Sequence, residues 1–311
     1  MELSLDAVIP TFNAGHHLYR CLRSIADMEG SESVNMLVID GGSTDNTLEI
    51  AKEFNSRIII KKGMYSNGIN GARNFGLKIM RSNYYWQVDA DNEFLEKDFL
   101  INIMEPFRRD ECIKISVPIP EVIDNSKSFN NFLCRMDQAG IYEILGSGKD
   151  FGGYVVVSDL NYGLSNGSVI NKFALDAIGG YDFDIRTLTR MRIRNMSKAA
   201  IVKGAHYRHY STKGLLDYTR KMERRVMLIS ELLNEKDNFI MPIDHKDVSS
   251  LDTKTKSFTL TNTIRTSLYT LTRERNFIWV WGLLFPLSFF GPAAFHPLRS
   301  TRLLRSFLKV K

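Results

Sequence analysis

Two carboxylates one residue apart, Asp89 and Asp91, close the run YYWQVDADNEF over residues 84–94. The apolar, aromatic stretch ahead of them, Tyr84 to Val88, reads as a buried strand. Acidic groups exposed at the end of such a strand create a local negative site. Carboxylate oxygens are hard ligands that suit Mn²⁺ or Mg²⁺. A divalent ion held there would neutralise a diphosphate and stabilise it as a leaving group. Asp-x-Asp alone is a weak signal, because a solvated loop or a helix cap presents the same pattern. Its meaning depends on what else reaches the same place.

The preceding elements decide that. Leu3 to Ile9 reads as a short strand closed by Pro10, Thr11 and Asn13. His17 to Met28 has apolar residues at helical spacing, Leu18, Cys21, Leu22 and Ile25. Val34 to Ile39 is a second buried strand, ending at Asp40-Gly41-Gly42-Ser43. Thr44 or Asp45 can cap a helix over Thr47 to Phe54. Arg57 to Lys61 is a third strand, Asn70 to Met80 a helix, and Tyr84 to Val88 the fourth strand. Alternating helices and continuously apolar strands predict an α/β fold with a doubly wound, mostly parallel sheet. In such sheets ligands sit beyond the carboxyl ends of the strands. Pro10-Thr11, Asp40 and Asp89-Ala90-Asp91 all fall at those ends, so three polar clusters are expected on one edge. Residues 112–180 read as irregular, with short strands at Lys114 to Val117 and Tyr154 to Val157.

Bulk composition fits this reading. The chain has 311 residues, is 44% hydrophobic and carries a net charge of +6, enough for one large domain with an appendage. Cys21, Cys112 and Cys134 are scattered and odd in number, which predicts reduced, buried thiols rather than bridges or a zinc site. The opening MELSLDAVIP has no secretory pattern. No G-x-G-x-x-G follows the first strand, which disfavours a dinucleotide dehydrogenase. A nucleic-acid binder is disfavoured too, since the late basic charge is interleaved with apolar residues rather than laid along a groove.

Read together, the segments AVIPTFNAG, LVIDGGSTDNT, NGARNFGLK, QVDAD, GGYD and HYSTKGLLDYTRKMERR resemble the family 2 nucleotide-sugar glycosyltransferases of GT-A fold, in that family's order. The resemblance covers roughly residues 5–225. It implies that Thr11 and Asp40 lie against the nucleobase and ribose, and that Arg73 and Asn74 line the nucleotide pocket. Asp89 would contact the nucleoside, and Pro10, Asn13, Gly42, Ser43 and Ala90 would belong to the same donor site. Asp91 would hold the metal, Mn²⁺ or Mg²⁺, on the diphosphate of the donor, a UDP-sugar being favoured over a GDP-sugar. A histidine completes the metal site in this family. Of His206 and His209 in AHYRHYS, His209 matches best.

One family feature is missing. A short way past GGYD the family places an acidic pair, one member of which is the general base. Here the stretch reads FDIRTLTRMRIRN, with Thr189 and Arg190 in its place. Three readings stay open. The acceptor could be an anion such as a lipid phosphate, which needs no base and which Arg186, Arg190, Arg192 and Arg194 would hold by paired charge-assisted bonds. Asp182 or Asp184 could serve as base for a sugar hydroxyl, a contribution of about 10² to 10⁴ in rate. Or the chain binds nucleotide sugars without turnover, as a sensor or partner subunit.

The C-terminal part points to a membrane. Leu215 to Leu233 reads as a basic amphipathic helix, and residues 231–311 as an extension to a catalytic domain over 1–230. Phe277 to Phe295 carries no charge, is broken by Pro286, Gly291 and Pro292, and is flanked by arginines. A bilayer core needs about 20 apolar residues in a helix, so this segment predicts an interfacial or hairpin anchor rather than a simple span. The expected place is the cytoplasmic face of a membrane, with an anionic or lipid-linked acceptor and self-association among the expected partners.

Overall fold

The computed structural model describes residues 4–61, 68–124, 129–158, 160, 166–181, 187, 191 and 194–210. Two compact units divide the chain, residues 1–126 with 137–211 and residues 127–136 with 212–311. Of the second unit, the described residues are 129–136, in the first turns of one helix. The first unit carries the sheet and the site described below.

Its N-terminal half alternates strand and helix. The elements are β1 (Leu5–Thr11), α1 (Gly15–Ala26), a 3-10 turn (Ser31–Ser33), β2 (Val34–Asp40), α2 (Thr47–Glu53), β3 (Arg57–Ile60), α3 (Gly68–Ile79) and β4 (Tyr84–Gln87). Then come β5 (Asn92–Phe94), α4 (Phe99–Arg109), β6 (Ile115–Pro120), α5 (Phe129–Leu145), β7 (Lys149–Asp150), β8 (Tyr154–Val157), β9 (Val169–Asn171), α6 (Lys172–Ala177) and β10 (Ala199–His209). The strand order is β3-β2-β1-β4-β9-β6-β10-β8-β7, with β5 paired to β10. β1 to β4 are mutually parallel, as their apolar runs and helical crossovers require. Beyond β4, antiparallel β9 sits between β4 and β6, so the sheet as a whole is mixed.

Both faces of the sheet are covered at its centre, which is why β1 and β6 are buried along their whole length without alternation. Leu5, Ala7 and Ile9 of β1 point into one core layer with Leu18, Cys21, Leu22 and Ile25 of α1. Val8 points into the other, with Ala72 and Leu77 of α3. Gly76 lets α3 lie against β1, since a Cβ there would stand 2.4 Å from Val8 Cγ1. Beneath the end of β4, Trp86 packs on Phe94 and Phe99 with ring centroids 4.7 and 5.6 Å away.

Residues 112–180, expected to be irregular, contain β6, the 17-residue helix α5, β7 to β9 and α6. The α5 sequence, FNNFLCRMDQAGIYEIL, mixes Asn and Gly into its turns, and these weak helix formers hide its pattern. Of the cysteines, Cys21 is buried, Cys134 is half-buried and Cys112 is exposed, so burial of all three is not met. Cys112 lies in the turn after α4, where its N–H donates to Asp110 Oδ1 at 2.8 Å. Among the described residues no helix is long and apolar enough to cross a membrane. The basic helix over 215–233, the apolar run 277–295 and the boundary at 230 lie outside the described residues.

Candidate active site

The site forms where β1, β2 and β4 end. Asp40, at the end of β2, is fully buried. Its Oδ1 accepts the N–H groups of Gly42 and Ser43 at 2.8 and 2.7 Å. Its Oδ2 accepts the hydroxyls of Thr11 and Ser43 at 3.0 and 2.5 Å. Gly42 turns the chain with φ +100°, a backbone that side-chain-bearing residues rarely adopt. Asp40 thus ties the β2 loop to the end of β1. The next loop locks on from the other side. The Asn13 N–H donates to Ser43 Oγ at 2.8 Å, and Asn13 Oδ1 accepts from the Thr44 N–H at 2.8 Å. Asp45 accepts from the Thr47 N–H at 3.0 Å and from the Gly15 N–H at 3.1 Å, so one carboxylate serves the first turns of α2 and α1.

Past β4 the chain turns through Asp89-Ala90-Asp91. The Asp89 N–H donates to Asn92 Oδ1 and the Asn92 N–H returns to Asp89 O, both at 2.9 Å, closing a tight turn. The Cys21 thiol donates to Asp89 O at 3.6 Å from below. Burial, together with the charges of Asp91 and Asp89, pushes that thiol's pKa far up, so Cys21 supports the turn as an un-ionised group.

His209 comes from far along the chain. The end of β10 pairs antiparallel with β5, placing His209 opposite Asn92, and the Tyr210 N–H donates to Asp91 O at 2.9 Å. That register sets His209 Nε2 3.1 Å from Asp91 Oδ1, with side chains 31% and 25% exposed. Burial opposes charge on both groups, but their mutual attraction prevails. Asp91 is held below the usual carboxylate range, with His17 contributing, and His209 above the usual imidazole value. One donor atom each from Asp89, Asp91 and His209 lie within 4.8 Å of one another. Two carboxylate oxygens and an imidazole nitrogen are a donor set that fits Mn²⁺ well and Mg²⁺ acceptably.

Arg73 and Asn74, neighbours on α3, face different tasks. Arg73 is buried and donates through Nη2 to Asp89 Oδ1 at 2.8 Å, with its guanidinium 5.1 Å from the centre of the Tyr181 ring. Asn74 clamps the backbone of Tyr181. Its Nδ2 donates to Tyr181 O at 2.6 Å, and its Oδ1 accepts the Tyr181 N–H at 2.5 Å. The turn before Tyr181 is fitted to that clamp: Gly180 has φ +97°, and a Cβ there would lie 2.8 Å from Asn74 Oδ1. The Tyr181 hydroxyl donates to Gln87 Oε1.

The structure therefore gathers Thr11, Asn13, Asp40, Gly42, Ser43, Arg73, Asp89, Ala90, Asp91 and His209 at one edge, beside Pro10 in β1. Within that edge Asp40 and Asn74 hold loops with both their polar ends. Asp182, Asp184 and Arg190 lie outside the described residues. Sequence reasoning missed Gln87, Asn92 and Asn166, whose hydrogen bonds join the turn and the segment near 166 to the site. Asn92 follows Asp91 directly and could have been noticed as a turn residue. Gln87 and Asn166 are brought together only by the insertion of β9 beside β4.

Residues 6–157 match the model described as Glycosyl transferase family 2. The chain is similar to glycosyltransferase GlyA of Streptococcus pneumoniae serotype 4, with 33% identity over 98 residues, covering 31% of this chain and 14% of that protein. It is also similar to the UDP-Glc:alpha-D-GlcNAc-diphosphoundecaprenol beta-1,3-glucosyltransferase WfaP of Escherichia coli, with 33% identity over 93 residues, covering 30% of this chain and 36% of that one. The matched region is thus well under two thirds of either relative's length. In fold it resembles glucosyl-3-phosphoglycerate synthase from Mycobacterium tuberculosis, solved with Mn²⁺ and UDP-glucose, at TM-score 0.51 and 18% identity, covering 76% of this chain and 81% of that one.

Proposed function

Since the chain belongs to glycosyl transferase family 2, we propose that it transfers a sugar from a nucleotide diphosphate donor, a UDP-sugar, to a lipid-linked acceptor at the cytoplasmic face of a membrane, inverting the anomeric centre. The observation that carries this reading is the convergence of Asp89, Asp91 and His209 at the carboxyl ends of the strands. Asp91 and His209 would hold a divalent cation, with Asp89 beside them. Once bound, the cation neutralises charge on the diphosphate leaving group. Arg73 keeps Asp89 oriented and adds a fixed positive charge next to the donor's phosphates. Thr11 and Asp40, with the loop they brace, form the wall for the nucleoside.

The lipid-linked acceptor is supported by the basic and apolar patterning of the C-terminal sequence and by the diphosphoundecaprenol acceptor in WfaP's name. That relative's acceptor bears a sugar, which favours a second reading in which a sugar hydroxyl attacks and Asp182 or Asp184 takes its proton. In the first reading a bare phosphate attacks with Arg190 and its neighbours holding it, and no base is needed.

The test is nucleoside diphosphate release from a panel of nucleotide sugars by the full chain in detergent, with Mn²⁺ or with EDTA. One arm contains polyprenyl phosphate and the other a polyprenyl diphosphate sugar. Mn²⁺-dependent release with the phosphate lipid alone supports the base-free reaction. Release with the sugar-bearing lipid alone assigns the base role to Asp182 or Asp184. Donor binding without release in either arm overturns the transferase reading in favour of a nucleotide-sugar-binding protein.

A further inference from the structure

Behind His209 runs a chain of side chains that the three metal-facing groups do not account for. The Tyr181 hydroxyl donates to Gln87 Oε1, and Gln87 Nε2 donates to Asn166 Oδ1 at 3.4 Å. Asn166 Nδ2 then lies 3.2 Å from both Nδ1 and Nε2 of His209. The direction of each amide follows from the one before it. A hydroxyl donor on the Gln87 oxygen turns the Gln87 nitrogen toward Asn166, which in turn aims the Asn166 nitrogen at the imidazole. Equal distances to the two ring nitrogens mean that Asn166 meets the ring as a whole rather than one lone pair. Such a contact steers the ring plane while Nε2 still faces Asp91 Oδ1.

The far end of this chain is anchored twice. The Tyr181 backbone is held by Asn74, and the Tyr181 ring lies against the Arg73 guanidinium that pairs with Asp89. The near end is anchored by the sheet. The Gly167 N–H donates to Gln87 O at 2.8 Å, the Gln87 N–H donates to Ser168 O at 2.9 Å, and Trp86 Nε1 donates to Gly167 O at 2.9 Å. Asn166 is therefore fixed to β4 immediately before the Asp89-Ala90-Asp91 turn.

We propose that Asn166 is a positioning residue for His209, held in register by Gln87 and Tyr181, so that the ring orientation a divalent cation needs is tied to the Gly179-Gly180-Tyr181 turn. This rests on the metal reading of Asp89, Asp91 and His209. Groups that orient a metal-binding histidine typically change metal affinity by about 10- to 100-fold. An imidazole nitrogen favours Mn²⁺ over Mg²⁺, whereas carboxylate oxygens serve both. Misorienting His209 should therefore weaken Mn²⁺ far more than Mg²⁺, a selectivity that general loosening of the fold would not produce.

The experiment measures Mn²⁺ binding to the full chain without nucleotide, from the electron paramagnetic resonance signal of the free ion, and Mg²⁺ by competition. Asn166→Ala is expected to lose roughly tenfold in Mn²⁺ affinity with little change for Mg²⁺. His209→Ala is expected to show the same selective loss, and adding Asn166→Ala to it should cost nothing more. Tyr181→Phe removes one hydroxyl and should shift selectivity in the same direction by less, and it decides the matter if Asn166→Ala fails to fold. Wild-type Mn²⁺ affinity in Asn166→Ala, or equal weakening of both ions, overturns the positioning role. An unchanged Mn²⁺ affinity in His209→Ala overturns the metal reading itself, a failure distinct from that of the positioning role.

Discussion

Replacing Arg73 with Ala separates the guanidinium's structural work from its effect on the cation site proposed at Asp89, Asp91 and His209. The Arg73 and Asp89 side chains are 6% and 16% exposed, so solvent screens their contact at 2.8 Å only weakly. Removing one partner of a buried pair leaves the other charge without compensation, at a cost of about 3–5 kcal/mol. Losing the guanidinium over Tyr181 adds about 0.5–2 kcal/mol. For a domain of this size each kcal/mol moves Tm by roughly 2–4 °C, so the pair alone predicts a fall of about 6–20 °C. Mn²⁺ should reverse part of it. A ligand at a hundred times its Kd stabilises by about 2.7 kcal/mol. In Arg73→Ala the repulsive guanidinium is gone and Asp89 is released, so tenfold tighter binding would add about 1.4 kcal/mol to the stabilisation by the ion. The assay is thermal unfolding of wild type, Arg73→Ala and Arg73→Lys across a Mn²⁺ titration, with Arg73→Lys expected between the other two. A loss below about 1 kcal/mol in metal-free Arg73→Ala would refute the buried-pair argument. An equal Mn²⁺ shift in wild type and variant would refute the link between Arg73 and the cation.

Three further outcomes follow from single positions. Asp40→Asn keeps an acceptor for the Gly42 and Ser43 N–H groups but turns an amide nitrogen toward two hydroxyls, and Ser43 Oγ already accepts from Asn13. It should cost about 1–3 kcal/mol in denaturant unfolding, and an unchanged midpoint would count against Asp40 as the brace of this loop. Gly76→Ala should destabilise by about 1–3 kcal/mol, because its Cβ would meet Val8 and Ile39; a gain, as helix propensity alone would give, would show that α3 can move away from β1. At His206 the hydrogen bond to Glu96 at 2.5 Å raises the imidazole pKa, burial opposing and the Glu96 and Glu121 charges adding. A raised folded-state pKa contributes stability that is fully present below the unfolded value of about 6.5 and is lost as pH climbs through the folded value. The Tm gap between wild type and His206→Gln should therefore be wide near pH 6 and close at alkaline pH, and a gap independent of pH would sink the ion-pair account.

What the sequence disclosed and what it hid divide along physical lines. β1, β2, β4 and α1 to α3 were legible to within two residues or so, because strands buried on both faces and helices with one buried stripe leave strong periodic marks. The placement of Pro10-Thr11, Asp40 and Asp89-Ala90-Asp91 on one edge followed from that parallel half. α5 left no such mark. Nor did the tasks of Asn74 and Gln87, whose partners lie 107 and 79 residues away and are set by strand insertion rather than local pattern. His209 was legible by its resemblance to a family position, while its approach to Asp91 depends on the pairing of β10 with β5.

The position of β9 has a consequence for how this chain acquires its shape during synthesis. β9 spans Val169–Asn171, yet it joins β4 to β6 and completes the ladder between the two halves of the sheet. While residues up to about 168 are emerging from the ribosome, the inner edge of β4 has no neighbour, and its backbone groups are open to wrong partners. Closure must await a segment made more than eighty residues after Tyr84, and His209 is made later still. Loops of that length close slowly, so the cooperative step should be the docking of β9, followed by zipping of β10. A nascent chain stopped before β9 would hold both aspartates of the turn and remain a client for chaperones.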